Sequence, residues 1–90
     1  MAVRAKMRCT GRREWTMQKF KPGMDERELV EHVEVTLQPV YAEGPDDKSN
    51  ADWSKWTPSG EVKLTITNKD AFDQFKIGRA YFVDFSVTEN

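Results

Sequence analysis

Few residues in this sequence have the types and spacing that catalysis requires. His32 is the single histidine, and it has Glu31 and Glu34 as near neighbours. A histidine beside carboxylates has the groups for acid–base catalysis, but surface histidines commonly have the same neighbours. Cys9 falls on the apolar side of an alternating segment, where a free cysteine usually behaves as a small hydrophobe. We therefore predict no catalytic residue and no enzymatic activity.

Cofactor and metal sites are also not expected. The five glycines are far apart in the sequence and lie at predicted turns, whereas a phosphate-binding loop needs closely spaced glycines. Asp46, Asp47 and Asp52 lack the alternating oxygen ligands and the final glutamate of a calcium loop. One cysteine and one histidine are too few for a structural zinc site within one chain, and a single cysteine forms no intramolecular disulfide.

Basic and aromatic residues are better candidates for function. Residues 1–22 have a net charge of +6 and the remainder −7, although the whole chain is at −1. This asymmetry predicts a polyanion, an acidic protein face or another copy of the chain as partner, and pairing of basic with acidic strands inside the fold explains it equally well. Two loop tryptophans either close one end of the core or form a contact surface. The predicted partner-binding residues are Arg4, Lys6, Arg8, Arg12, Arg13, Trp53 and Trp56.

Alternating apolar residues predict the strands that position these side chains. From Val3 to Cys9, apolar residues alternate with basic ones, as in a strand with one buried face. Gly11-Arg12-Arg13 is expected to turn the chain into a second strand that starts near Trp15 and ends before Lys21-Pro22-Gly23. These two segments are predicted to form a hairpin.

The rest of the chain predicts three more strands and one helix. β-branched alternation indicates strands from about residue 30 to Tyr41, over residues 62–67 and over residues 81–87, with Pro39 at an edge or a bulge. Asn68 is a suitable N-cap for a short helix over about 69–75. Residues 43–60 have no strand pattern and form a long loop.

The predicted fold is a single, mainly β domain spanning residues 1–90. Ninety residues suffice for only one core. About five strands and one short helix before the last strand indicate a small barrel or a two-sheet sandwich. The sequence contains no apolar run long enough to cross a bilayer and no secretory signal, so we expect neither membrane insertion nor export by that route.

A distinctive combination of residues occupies the second half of the sequence, namely residues 53–68 (WSKWTPSGEVKLTITN), then Ala71, Phe75 and Gly78, and residues 81–85 (YFVDF). In this combination the sequence resembles a family of small uncharacterised proteins encoded by tailed bacteriophages and prophages. The resemblance covers about the C-terminal half and the basic opening strand. It implies a phage origin, a small β-rich fold and a location in the virion or in the host cytoplasm during infection.

Three functions remain open from the sequence. One is a non-enzymatic virion component, such as a capsid decoration, cement or connector protein that binds other virion subunits or copies of itself, as repeated copies gain avidity from modest contacts. The second is an OB-like protein that binds single-stranded nucleic acid through the basic residues and stacked tryptophans. The third is inhibition of a host protein.

Overall fold

Four strands and one short helix make up the fold. The computed structural model describes residues 3–20 and 27–89. In chain order the elements are β1 (Val3–Phe20), β2 (Arg27–Pro39), β3 (Val62–Ile66), a 3-10 helix (Lys69–Gln74) and β4 (Ala80–Phe85). Within these residues, no helix has the length and apolar character needed to span a membrane.

All four strands belong to one antiparallel sheet, in the order β3-β2-β1-β4. β1 and β2 pair with each other as far as Phe20 opposite Arg27. β4 pairs only with residues 3–8 of β1, and β3 pairs only with residues 33–37 of β2. The far parts of β1 and β2 therefore extend beyond the four-stranded region as a two-stranded ribbon.

A β-bulge in β1 changes which side chains face the core. Cys9 lies opposite Leu37, whereas Gly11 already lies opposite Thr36, so Thr10 is an extra residue in the strand. Because side chains alternate along a strand, one inserted residue reverses the alternation. Odd-numbered residues of β1 face the core before the bulge, and even-numbered residues do so after it.

The core lies against one face of the sheet. Its buried hydrophobic side chains come from β1 and β2 and are Ala5, Met7, Cys9, Val33, Val35 and Leu37. Half-buried residues from the long loop, the 3-10 helix and the edge strands pack against them, namely Trp53, Val62, Ile66, Phe72, Phe75, Tyr81 and Val83. The opposite face of the sheet is called the outer face below.

Asn50 attaches the long loop between β2 and β3 to the sheet. Its side-chain Oδ1 accepts from the backbone N–H of Lys6 at 2.8 Å and from the indole N–H of Trp53 at 3.0 Å. Its Nδ2 donates to the carbonyl oxygens of Lys6, at 3.1 Å, and Val40, at 2.9 Å. An amide side chain has the same kinds of donor and acceptor as a peptide group. Asn50 therefore takes the place of a strand neighbour and bonds the N–H and C=O groups of β1 beyond the end of β2.

The 3-10 helix and the turn after it return the chain to β1. The Asn68 side chain accepts from the backbone N–H of Asp70 at 3.0 Å, as predicted for an N-cap. Gly78 has φ of +91°, a conformation that side-chain-bearing residues rarely adopt, and its N–H donates to the carbonyl of Cys9 at 2.8 Å. This contact places β4 beside the first half of β1.

The prediction of a mainly β fold with a short helix before the last strand is confirmed. The expected turn at residues 11–13 is wrong, because the chain continues through the bulge and the two predicted strands are one. The hairpin instead joins β1 to β2. The sheet is single and open, not a closed barrel or a pair of sheets, because helix and loop residues cover the core where a second sheet would lie.

Candidate functional site

The two-stranded ribbon, called the arm below, comprises residues 15–20 of β1 and residues 27–32 of β2. Within the described chain, no other strand pairs with either of its edges. The molecule is correspondingly long, with principal extents of 60 × 34 × 20 Å and a Cα radius of gyration of 17.4 Å. A compact chain of this length has a radius of about 12 Å. The arm is therefore the most accessible part of the sheet.

Matched cross-strand pairs stabilise the outer face of the arm and its base. Trp15 stacks on His32, with ring centroids 5.3 Å apart and an interplanar angle of 19°. Arg13 lies with its guanidinium carbon 4.7 Å from the centroid of the Trp15 ring and forms an ion pair with Glu34 at 3.6 Å. Further out, the register pairs Met17 with Val30 and Lys19 with Glu28. Opposite charges and apolar groups thus face each other along the ribbon.

Apolar side chains remain exposed on both faces of the arm. Met17, on the outer face, is 47% exposed, and Leu29, on the core face, is 67% exposed. At the base of the arm, a cleft of about 270 Å³ is lined by residues that include Trp15, His32 and Phe72. Neither Met17 nor Leu29 contributes to the buried core, so both are available to a partner.

The bulge decides which of the predicted basic residues faces the core. Arg4, Lys6 and Arg8 precede it and Arg13 follows it, and all four lie on the outer face. Arg12 lies on the core face, where its Nη1 donates to the carbonyl oxygens of Phe72, at 2.7 Å, and Phe75, at 3.0 Å. With a side chain only 22% exposed, Arg12 holds the end of the 3-10 helix.

Like Arg13, the outer-face residues Arg4 and Arg8 contact groups of the same chain. Arg4 donates to both carboxylate oxygens of Asp84, at 2.7 and 3.1 Å, and its guanidinium lies 4.6 Å from the centroid of the Phe82 ring. This pairing lowers the pKa of Asp84 and raises the pKa of Arg4. Arg8 donates to the carbonyl of Gly78 at 2.6 Å. Within the described residues, Lys6 forms no ion pair.

The two tryptophans of the long loop lie in different environments. Trp53 packs against the core and is bonded to Asn50, as expected for a residue that closes the end of the core. Trp56 is 86% exposed beside a cleft of about 310 Å³. A second cleft, of about 590 Å³, shares Val40 and Pro58 with it and is also lined by Tyr41. Only Trp56 is placed to contact a partner.

The structure keeps the candidate catalytic residues apart. Cys9 is buried on the core face, whereas His32 lies on the outer face beneath Trp15. His32 Nδ1 is 3.0 Å from the carbonyl oxygen of Val30. Within the described residues, no three histidine, cysteine or carboxylate side chains converge to form a metal site.

No family model, curated protein or solved structure matches this chain. The geometry alone therefore carries the assignment of its contact surfaces.

Sequence reasoning missed the arm, although two features of the sequence indicate it. A glycine inside an alternating strand often marks a bulge, and Gly11 interrupts the alternation of β1. Beyond it, residues of β1 and β2 are complementary when the two segments are paired antiparallel. Arg13 then meets Glu34, and Lys19 meets Glu28.

Proposed function

We propose that this chain is a non-enzymatic structural protein of a tailed-bacteriophage particle that docks on other virion subunits. The arm is the observation that carries this proposal. A free two-stranded ribbon gives a monomer little stability, since each strand has one unpaired edge and its side chains pack on few neighbours. In an assembly, the same ribbon offers backbone groups and exposed Met17 and Leu29 to a partner.

The surface area supports the same function. The chain exposes 7303 Å² to solvent. A folded monomer of this mass exposes about 5,400 Å². The difference of about 1,900 Å² exceeds the roughly 800 Å² that each partner contributes to a standard protein–protein interface. The chain therefore has surface for one or two such interfaces beyond that of a compact monomer.

Exposed aromatic residues elsewhere add to the docking surface. Trp56 projects from the long loop and Phe82 lies on the outer face, 86% and 61% exposed. Aromatic residues are enriched in protein interfaces. The resemblance of the segment around Trp56 to small phage proteins implies a phage origin, and for a chain of that origin we propose capsid, tail or connector subunits as partners.

Detection of the chain in purified particles tests this proposal. Particles of a phage or induced prophage that encodes the chain would be purified by density gradient and analysed by quantitative mass spectrometry. We expect the chain to be present at a fixed number of copies per particle. Its absence from particles, together with its presence in the infected-cell lysate, would reject the virion function.

Binding of single-stranded nucleic acid is the second candidate. The observation in its favour is that Phe82 is exposed on the same face as Arg4, Lys6 and Arg8, as in a stacking platform beside cations. However, Arg4 is paired with Asp84 and Arg8 with a backbone carbonyl. Titration of a labelled oligonucleotide at low salt decides this point, because phosphate contacts are strongest there. No binding at tens of micromolar protein removes the candidate.

A further inference from the structure

β4 is an edge strand, and no strand of the described chain pairs with its outer side. Exposed apolar side chains are concentrated there. Of the nine large hydrophobic residues that are exposed in the described chain, four lie in β4 or beside it, namely Ile77, Phe82, Phe85 and Val87. An edge strand with exposed apolar side chains can pair with a strand of another molecule. β4 is therefore a candidate contact surface separate from the arm.

The backbone bonds of β1 determine which groups of β4 point out of this edge. The carbonyl of Lys6 accepts from the backbone N–H of Val40 at 3.1 Å, on the side of β1 away from β4. In an antiparallel pair, the backbone groups of opposite residues point either towards each other or away from each other. Phe82, which lies opposite Lys6, therefore presents its N–H and C=O at the outer side of β4. By alternation along the strand, Ala80 and Asp84 do the same.

We propose that two copies of this chain pair through their β4 strands, antiparallel and about a two-fold axis at Phe82. The inference takes from the proposed function only that Phe82 belongs to a contact surface, and it names a second copy of the chain as the partner there. In this register Phe82 lies opposite Phe82 of the second copy, and Ala80 lies opposite Asp84 of the second copy. The two sheets join into one, in the order β3-β2-β1-β4-β4-β1-β2-β3.

Hydrogen bonding limits the register of this pairing. Outward-pointing backbone groups must lie opposite outward-pointing groups, so the two-fold axis passes through a residue of β4 and not between two residues. An axis at Phe82 pairs every outward-pointing residue of β4 with one in β4 of the second copy. An axis at Val83 would place Ala80 opposite Ser86, beyond the end of the strand. The axis at Phe82 therefore gives the longer ladder.

Side chains on the outer face favour the same axis. The two Phe82 rings lie opposite each other and form an aromatic cross-strand pair. Each Asp84 lies opposite the small side chain of Ala80 and keeps its ion pair with Arg4 of its own chain, at 2.7 Å. The carboxylates of the interface thus retain their cations. An axis at Asp84 would instead place two carboxylates opposite each other.

The residues that flank the ladder also fit this register. Arg79 and Phe85 are both exposed, and they lie opposite each other across the axis, which places a cation beside an aromatic ring. An axis at Tyr81 would instead place Asp84 opposite Gly78, whose N–H is already bonded to β1. The axis at Phe82 leaves that bond in place.

The β3 edge is a poorer site for the same pairing. Cys9 is bonded on the β4 side, so its partner Leu37 points its backbone groups towards β3 and bonds Val62. By alternation, Lys63 and Thr65 are the residues of β3 that present their backbone outward. Both have polar side chains, and lysine on an edge strand opposes pairing with another chain. The β3 edge therefore lacks an apolar pair like the one at the axis of the β4 edge.

Proline at an outward-pointing position tests which edge is used. Ala80→Pro removes one N–H from the β4 edge, and Thr65→Pro removes one from the β3 edge, while neither removes a hydrogen bond between strands of the same sheet. By sedimentation velocity from micromolar to millimolar protein, we expect a concentration-dependent dimer of the parent chain. The two-fold axis doubles the loss, so Ala80→Pro is expected to weaken dimerisation by at least about tenfold. Thr65→Pro is expected to dimerise as the parent chain does.

A cysteine at the axis gives an independent readout. Phe82 and its symmetry mate form a hydrogen-bonded pair, whose Cα atoms lie about 5.5 Å apart, within reach of a disulfide. Phe82→Cys is expected to give a covalent dimer on mild oxidation. Lys6→Cys is the matched control, because Lys6 lies opposite Phe82 on the same face but one strand further from the axis. This control should remain monomeric under denaturing conditions. The buried Cys9 is common to both variants.

These measurements can overturn the pairing without affecting the virion proposal. A parent chain that is monomeric at every concentration contradicts it, as does a dimer whose affinity Ala80→Pro leaves unchanged. Equal cross-linking of the Phe82 and Lys6 cysteine variants also contradicts it. If Ala80→Pro does not fold, as judged by circular dichroism, the cysteine pair alone decides. Detection in purified particles remains a separate result.

Discussion

Neighbouring residues of the same type lie in different environments in this chain, because the backbone directs their side chains to different sides. Arg12 and Arg13 are adjacent, yet one bonds the helix carbonyls and the other lies over Trp15 on the outer face. Trp53 and Trp56 are similarly divided between the core and the solvent. At the scale of single residues, backbone position therefore decides which side chains pack into the fold and which remain at the surface.

Replacing Asn50 by alanine should destabilise the fold more than is usual for substitution of a loop residue. The substitution leaves the backbone N–H of Lys6 and the carbonyl of Val40 without their Asn50 partner in a part-buried position. We expect the free energy of unfolding to fall by about 2 to 3 kcal/mol. Urea denaturation measures this change. Asn68→Ala, the same chemical change at an exposed N-cap, is the control and should cost about 1 kcal/mol or less.

Asp47 should make stability depend on pH in the acid range. The Ser49 hydroxyl, with the backbone N–H groups of Glu43 and Ser49, lowers the pKa of Asp47 from 3.8 to about 2. A carboxyl with a lowered folded-state pKa stabilises the fold above the unfolded value, and this stability is lost as pH falls. We therefore expect the free energy of unfolding to fall between pH 3.8 and about 2, and to fall less in Asp47→Asn than in the parent chain. Urea unfolding at a series of pH values compares the two proteins, and identical profiles would contradict the prediction.

The bulge and the arm are features of whole elements. Before the bulge, β1 is a central strand of the sheet with apolar side chains on the core face. After it, the core face of β1 carries Arg12, Glu14 and Thr16, and the aromatic side chain of Trp15 moves to the outer face. This reversal allows a single strand to serve both a core and an exposed ribbon.

Alanine substitutions on either side of this division should have different effects. Arg12→Ala removes two hydrogen bonds to the end of the 3-10 helix, and we expect it to lower the free energy of unfolding by about 1 to 3 kcal/mol. Arg13, with a side chain 70% exposed, should change stability by about 0.5 kcal/mol or less. Denaturation of the two variants compares them directly. Equal losses would show that the two faces of β1 do not give these two arginines different environments.

At the scale of the molecule, the chain has less core than its length allows. Six hydrophobic side chains are buried, and nine large hydrophobic ones are exposed among the described residues. Burial of apolar area is the main stabilising contribution to a fold, so an isolated chain of this kind should be only marginally stable. An assembly that covers the arm would add the missing burial.

Small-angle X-ray scattering tests the extended shape. For the full chain, extrapolated to zero concentration, we expect a radius of gyration close to the 17.4 Å of the Cα trace. A value near 12 Å, typical of a compact chain of this length, would mean that the arm folds back on the sheet. The extrapolation keeps self-association from raising the radius.

The sequence by itself determined the β class, the strands over residues 30–41 and 62–67 to within a few residues, and the N-cap at Asn68. These depend on local alternation and local hydrogen bonds, which the sequence shows directly. It also indicated that Arg4, Lys6 and Arg8 share one face of their strand, as they do in the structure. Arg12 and Arg13, which were expected in a turn, lie within the same strand instead.

Only the tertiary structure decided that residues 3–20 form one strand, that an arm extends beyond the sheet, and that Trp53 is covered while Trp56 is not. Each of these depends on pairing between residues far apart in the chain. A one-residue bulge leaves almost no trace in local composition, yet it moves every later side chain of β1 to the opposite face. For this reason the surfaces available for docking follow from the register, not from the residue types.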